Sequence, residues 1–370
     1  MKFNNNMLKK TLTSLVLGTS LLFGSAEAKI IDVYMTEGVN NLQSIIDDEN
    51  TVAGDTLNFV RVTSPVWYSS ATVNKDLNFE GNGYYLKSWD TGTPLTLTSK
   101  AVVGINNLNV WADNLLPAIS VLEDASLDFR NSSTNTMGEK SIYFNSTGNL
   151  NINKIEFTTW DYPGERKIYL ENISGNIFIA ENTFVAGGTG IYVGQDLGGS
   201  LGIMNNTING MTEEAIYLNS PLVNPGYIIN NSISNSVKDI TNLEYLGSVV
   251  YTNNNIKPVQ TDIGMFSKTL AFNVSGDTNF NYDPLYVNPG SYDFTLQPES
   301  PLWNKGLYVE GKTPWFPSAN QTWIGAHGEG SQIPESGTLE LLAMAGLSGL
   351  GYKLLRKKEK SKMISESEKF

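Results

Sequence analysis

Asp161, Glu165, Arg166 and Lys167 form the densest grouping of acid and base in this chain, beside a Pro163-Gly164 turn. An arginine or lysine next to carboxylates is the equipment for proton abstraction from an acidic sugar held by Ca²⁺. Hydrolysis of a glycosidic bond instead needs two carboxylates a few ångströms apart. The same four residues also describe a charged loop tip projecting from the fold, which is the reading the sequence favours. Glu213 and Glu214 are adjacent, so in an extended segment they point to opposite sides and do not make such a pair. His327 is the single histidine, which argues against a histidine metal cluster and against a Ser-His-Asp triad. No metal site or cofactor is expected; Ca²⁺ would enter only with lyase chemistry.

Aromatic side chains offer binding without cleavage. Trp67, Tyr68, Tyr84, Tyr85, Trp89, Trp111 and Trp160 gather in the first half of the chain, and a tyrosine recurs later in Ile142-Tyr143-Phe144, Ile168-Tyr169-Leu170, Ile191-Tyr192-Val193 and Ile216-Tyr217-Leu218. Ring faces and wet polar tips suit sugar rings, although strands are rich in aromatics for packing reasons alone.

The tyrosine interval also dictates what must hold these residues. The four Ile-Tyr texts lie 26, 23 and 25 residues apart. Between them run Asn182-Thr183-Phe184, Asn206-Thr207-Ile208, Asn231-Ser232-Ile233 and Asn254-Asn255-Ile256, separated by 24, 25 and 23. Two interleaved series with one period describe a coil. The repeats are short β-branched and aromatic runs broken by Gly, Asn and Ser, so they predict strands. The expected fold is all-β: a single-stranded right-handed parallel β-helix. Residues 29 to 330 would give roughly a dozen turns stacked at about 4.8 Å, a rod near 55 Å. Asn182, Asn206, Asn231 and Asn254 form the expected side-chain ladder at a left-handed corner. Asn107, Asn131 and Lys154 extend the spacing toward the N-terminus.

The ends predict caps and addresses. Leu42 to Asp48 reads as a short amphipathic capping helix, with Ala53 to Leu57 turning into the first strand; the Pro-, Gly- and Trp-rich stretch 283–332 reads as an irregular C-terminal cap, leaving 29–282 for the coil. Residues 1–28 carry Lys2, Lys9 and Lys10, an apolar run to Phe23 and Ala26-Glu27-Ala28, a secretory signal cut after Ala28. The chain has no cysteine, so an exported product would rest on packing and hydrogen bonds rather than disulfides. Of 25 basic and 37 acidic residues, the segment 29–352 keeps 15 and 33, a balance of −18. That argues against nucleic acid or anionic lipid as partner and is compatible with neutral or cation-bridged glycans. Residues 333–370 hold Pro334-Glu335-Ser336-Gly337, an apolar run over about 339–355, and Arg356-Lys357-Lys358. Such a tail would engage a membrane with its basic end cytoplasmic.

The motifs Leu42 to Asp47, Ala53 to Thr56, Asp283 to Asn288, Tyr292 to Pro301, Lys305-Gly306 and Ile324 to Ala326 resemble the bounding motifs of choice-of-anchor Q β-helix proteins of bacterial surfaces. That resemblance implies a pectate-lyase-like fold and brings no fixed catalytic set. The Asn-Thr-Asp and paired-Asp motifs of polygalacturonases are missing from the central turns. The tail is similar to PEP-CTERM sorting signals, which implies an exosortase-like processing partner in a Gram-negative-type envelope; Ser336 stands where that family has a second proline. The functional expectation is a secreted, surface- or matrix-associated protein that binds or organises extracellular polysaccharide. A lyase or hydrolase on a groove of the coil, or a stiff adhesin or spacer, are the alternatives.

Overall fold

The computed structural model describes residues 28–34, 42–60, 66–68, 70–88, 92–113, 115–159, 164–195, 197–219, 224, 226–241, 249–252, 254–257, 279, 281–303, 305–306 and 324–326. All of them belong to one unit, Met1–Gly328. Trp89, Trp160, Asp161, His327, Pro334, Glu335 and the apolar run 339–355 lie outside the described residues.

The chain coils as a parallel β-helix. A long sheet stacks Ile30–Tyr34, Thr56–Val60, Leu77–Ser88, Val102–Ala112, Ser126–Thr136, Leu150–Thr159, Ile177–Ala180, Leu201–Met204, Gly226–Ile229 and Val249–Thr252 in that order. A second sheet stacks eight strands: Ala71–Val73, Leu95–Leu97, Ile119–Glu123, Lys140–Ser146, Arg166–Glu171, Thr189–Val193, Glu214–Leu218 and Lys238–Thr241. From Ile177 onward the long strands divide, and Thr183–Val185, Thr207–Asn209, Ser232–Ser234 and Asn255–Lys257 form a third stack below Glu156 and Phe157. Eight to ten stacked passes make a coil of about 40 Å. It is shorter than the expected dozen turns because the chain from Asp283 onward returns along the flank instead of coiling.

Phase now assigns the faces. Ile142, Ile168, Ile191 and Ile216 pair in register and are wholly buried, so the isoleucine column faces inward and the tyrosines outward. Phe157 and Phe184 stack inside with ring centroids 4.6 Å apart. Turn glycines allow the closest backbone approaches: a Cβ on Gly175 would lie 1.8 Å from the Gly148 carbonyl oxygen, and one on Gly199 1.7 Å from that of Gly175.

The asparagine ladder is present and longer than the sequence reading gave it. Asn182, Asn206, Asn231 and Asn254 are fully buried, and each Nδ2 donates to the next Oδ1 at 3.0, 2.9 and 2.9 Å, with Asn279 adding a further rung at 3.2 Å. Each Oδ1 also accepts the preceding rung's backbone N–H, as in Asn182 N–H to Asn206 at 3.0 Å. One expectation is corrected: the left-handed corner belongs to the residue before the ladder. Glu181, Asn205 and Asn230 have φ of 56°, 53° and 58°, and Asn107, Asn131 and Lys154 share that phase with φ of 52°, 48° and 56°. A strand cannot turn on a ladder residue whose amide already pairs along the stack, so the preceding residue takes the strain.

The front of the coil is closed by a local device, whereas the segment expected as an irregular C-terminal cap packs along the flank. The first coil strand is Ile30–Tyr34, not the one after Asp55, and it pairs in parallel with Thr56–Val60. In the helix Leu42–Asp47, Leu42 and Ile46 enter the core. Gln43 offers its side-chain amide to the top strand of the second sheet: its Oε1 accepts Thr72 N–H at 2.7 Å and its Nε2 donates to the Thr72 carbonyl at 3.3 Å. That side chain stands in for a missing neighbour strand. Beyond the last rung, Tyr286, Phe294, Leu296, Leu302 and Ile324 pack on Val185, on the outer side of the third stack. The Tyr286 hydroxyl meets Ser232 Oγ at 2.7 Å, and burial pushes its pKa up to about 12.

Glu181 breaks the asparagine pattern of its corner. Burial pushes its carboxyl up to about 7, with Lys154 Nζ at 3.8 Å opposing the rise. A raised folded pKa means that the native state holds a proton which the unfolded chain releases, so stability falls as pH rises between about 4.5 and 7. Glu181→Asn, copying Asn205 and Asn230, should abolish that slope and add up to about 3 kcal/mol at pH 8. Urea midpoints at pH 4.5 and 8 check this; an unchanged difference between them would show that the carboxyl is not the source.

Candidate functional site

The outer face of the second sheet carries the chemistry-bearing residues in straight columns, because every strand is in register with the next. One column reads Thr72, Thr96, Ser120, Tyr143, Tyr169, Tyr192, Tyr217 and Thr241. Beside it, Lys140, Arg166 and Thr189 align at the strand starts, and Glu214 aligns with Lys238. Asn145 and Glu171 align on the other side.

The tyrosine rings form a continuous stack. Centroids are 5.7 Å apart for Tyr143 and Tyr169 with a 43° tilt, 4.7 Å for Tyr169 and Tyr192 at 4°, and 4.9 Å for Tyr192 and Tyr217 at 14°. Cations lie against it: Lys140 Nζ is 4.7 and 4.6 Å from the Tyr143 and Tyr169 centroids, and the Arg166 guanidinium carbon is 5.2 and 4.4 Å from those of Tyr169 and Tyr192. These are favourable cation–π distances. Stacked rings cover one another's faces, so the column presents hydroxyl tips and ring edges outward.

The hydroxyls differ in their partners. Tyr143 donates to Glu171 Oε2 at 2.9 Å and accepts from Asn145 Nδ2 at 3.1 Å, while Tyr217 donates to Asn219 Oδ1 at 3.4 Å. Among the described residues, the Tyr169 and Tyr192 hydroxyls have no protein partner. Burial raises both pKa values above the usual phenol range; Glu171 adds to the rise, and Arg166 partly opposes it. They therefore remain O–H donors through the neutral range. Lys238 and Glu214 close the lower end with an ion pair of 2.9 Å.

The acid–base group of the sequence reading is divided by the fold. Arg166 is on the outer face, whereas Glu165 and Lys167 are fully buried and bonded to each other at 2.6 Å. Ser141 Oγ donates to Glu165 at 2.6 Å and Lys167 Nζ to the Thr158 carbonyl at 2.9 Å. Burial pushes the Lys167 amine down to about 8, against the attraction of Glu165. The projecting charged loop tip is thus corrected: two of its members are internal, since a corner between stacks can enclose a matched pair. Glu213 and Glu214 both reach toward Thr189 Oγ1, at 3.1 and 3.4 Å. Among the described residues no group of three or more His, Cys, Asp or Glu side chains is placed to hold a metal.

The aromatic candidates separate as well. Tyr84 packs against the core. Tyr85 and Trp111 lie 6.2 Å apart on the continuation of the long sheet, where Lys87 Nζ is 4.1 Å above Trp111 and 2.7 Å from Asp113. Trp67 and Tyr68 belong to the strand Val66–Tyr68, of which the backbone alone is described. Ala28 is exposed ahead of the first strand. The site that sequence reasoning left without a face is the tyrosine column, and the wholly apolar isoleucines alternating with it carried the missing signal.

No family model matches the chain, and no curated protein matches it.

Proposed function

We propose that this is an exported β-helix protein that binds a linear extracellular polysaccharide along the outer face of its second sheet without cutting it. The observation that carries the reading is the central pair Tyr169 and Tyr192, whose stacked rings hold two hydroxyls without a partner among the described residues, in a turn-spaced row beside Arg166. Hydroxyl donors on rigid strands suit a hydroxyl-rich polymer, because their positions are set before binding. The leader, the choice-of-anchor Q resemblance and the PEP-CTERM-like tail support a place at the cell surface or in its matrix, with an exosortase-like enzyme acting on the tail.

Full-length protein is incubated with neutral and acidic polysaccharides, with and without Ca²⁺, and separated by size. Polymer of unchanged length co-eluting with protein is the expected result; a fall in polymer size overturns the binding reading in favour of cleavage. Tyr169→Phe with Tyr192→Phe should weaken binding by about tenfold, from two lost hydrogen bonds of roughly 0.5–1.5 kcal/mol each. Undiminished binding by that variant would mean that the hydroxyls are not the contact.

A further inference from the structure

Resting on that reading of the face, we propose that its ligand is an anionic polymer whose carboxylate or sulfate groups are bound directly by Lys140 and Arg166. The chain is acidic overall, and six of its described cations pair with carboxylates: Lys29 with Asp55, Lys87 with Asp113, Arg130 with Asp128, Lys154 with Glu181, Lys167 with Glu165 and Lys238 with Glu214. Lys140 and Arg166 are different. They align as neighbours in register, both lie against the Tyr169 ring, and among the described residues neither has an ion-pair partner.

Three physical facts converge on an anion. Arg166 presents a planar fork of N–H donors 5.2 and 4.4 Å from the Tyr169 and Tyr192 ring centroids, and a ring offers the charge its π density but no acceptor in the fork's plane. The rings hold both cations on the sheet surface, so little side-chain freedom remains to be lost on binding. The Tyr169 and Tyr192 hydroxyls beside them, kept protonated, add neutral donors to the same row. A row of donors and cations favours an anionic polymer, whose charged acceptors answer both the fork and the two positive charges, whereas a neutral polymer offers hydroxyl acceptors without charge; the Glu171 and Glu214 carboxylates border that row. The row also selects against a divalent-cation bridge, which would place like charges together.

The test uses full-length protein in EDTA, with a linear polyuronate, the same polymer after carboxyl reduction, and a sulfated glycan. Affinity is read by calorimetry at low and physiological salt. The expected result is that the polyuronate or the sulfated glycan binds at least about tenfold more tightly than the reduced polymer, and that Lys140→Gln with Arg166→Gln removes this preference. Lys305→Gln, on the returning flank segment, serves as the charge control and should change nothing. Preference for the sulfated glycan alone supports the site and assigns the anion to sulfate. If native and reduced polyuronate bind alike, and the double variant binds as wild type while Tyr169→Phe with Tyr192→Phe does not, the anionic assignment falls and the polysaccharide reading stands. Binding of no polymer overturns both.

Discussion

Asn206→Ala should cost about 4 kcal/mol or more and do so locally. Its side chain accepts from the Asn182 backbone N–H and Nδ2, both at 3.0 Å, and donates to Ile179 O and Asn231 Oδ1 at 3.0 and 2.9 Å. Alanine leaves those partners buried without water, and each orphaned group costs roughly 1–3 kcal/mol. Asn206→Asp should fare little better, because a carboxylate supplies neither of the Nδ2 donors and must ionise in the interior. Asn235→Ala is the comparison: it too is an asparagine of the coil with one rung-like bond, 2.8 Å to Asn209, but it is exposed, and its loss should cost less than about 1 kcal/mol. In a coil whose turns touch only their neighbours, the damage should spread by one turn in each direction. Hydrogen exchange at residues 182, 206 and 231 should accelerate first, while the turns around Phe79 and Phe129 keep their protection. A variant with wild-type exchange at those amides would deny the ladder its structural weight.

The coil was legible because stacking forces like residues to one phase, so the interval survives even where the text changes. The ladder, the inward isoleucines and the outward tyrosines all follow from that one repeat. Which column faced the core required alternation along a single strand: Ile168 and Leu170 are buried and Tyr169 between them is not. The continuation to Asn279 was hidden by a following Phe280-Asn281, which lacks the β-branched residue that follows every other rung within two positions. The left-handed corner was misassigned by one position because asparagine occupies both places at 205–206 and 230–231, and composition cannot tell a strained residue from a bonded one. Glu165 and Lys167 were misread for a different reason. Charge next to Pro-Gly reads as surface, and a matched pair two residues apart carries no sequence mark of being enclosed.

That enclosed pair supports the second large expectation. Lys167→Ala should cost about 3–5 kcal/mol, since it strands the Glu165 carboxylate with Ser141 as its remaining side-chain partner. Glu165→Gln combined with Lys167→Met keeps an acceptor for Ser141 and fills the space along the lysine stem. It should recover most of that loss, to within about 1.5 kcal/mol of wild type. The pH dependence carries a sign. The folded amine releases its proton near 8, the unfolded one near 10.5, so between those values the unfolded chain binds more protons and stability rises with pH. The double variant has no such rise. Because Arg166 sits between the two buried residues, the pair also fixes the strand from which Arg166 and Tyr169 project. Lys167→Ala at a temperature where it remains folded should therefore weaken polymer binding, and the double variant should restore it. Unfolding in urea across pH 7 to 10.5, with binding measured on the same samples, separates the outcomes. A single variant costing under about 1 kcal/mol would mean that the pair contributes neither stability nor placement.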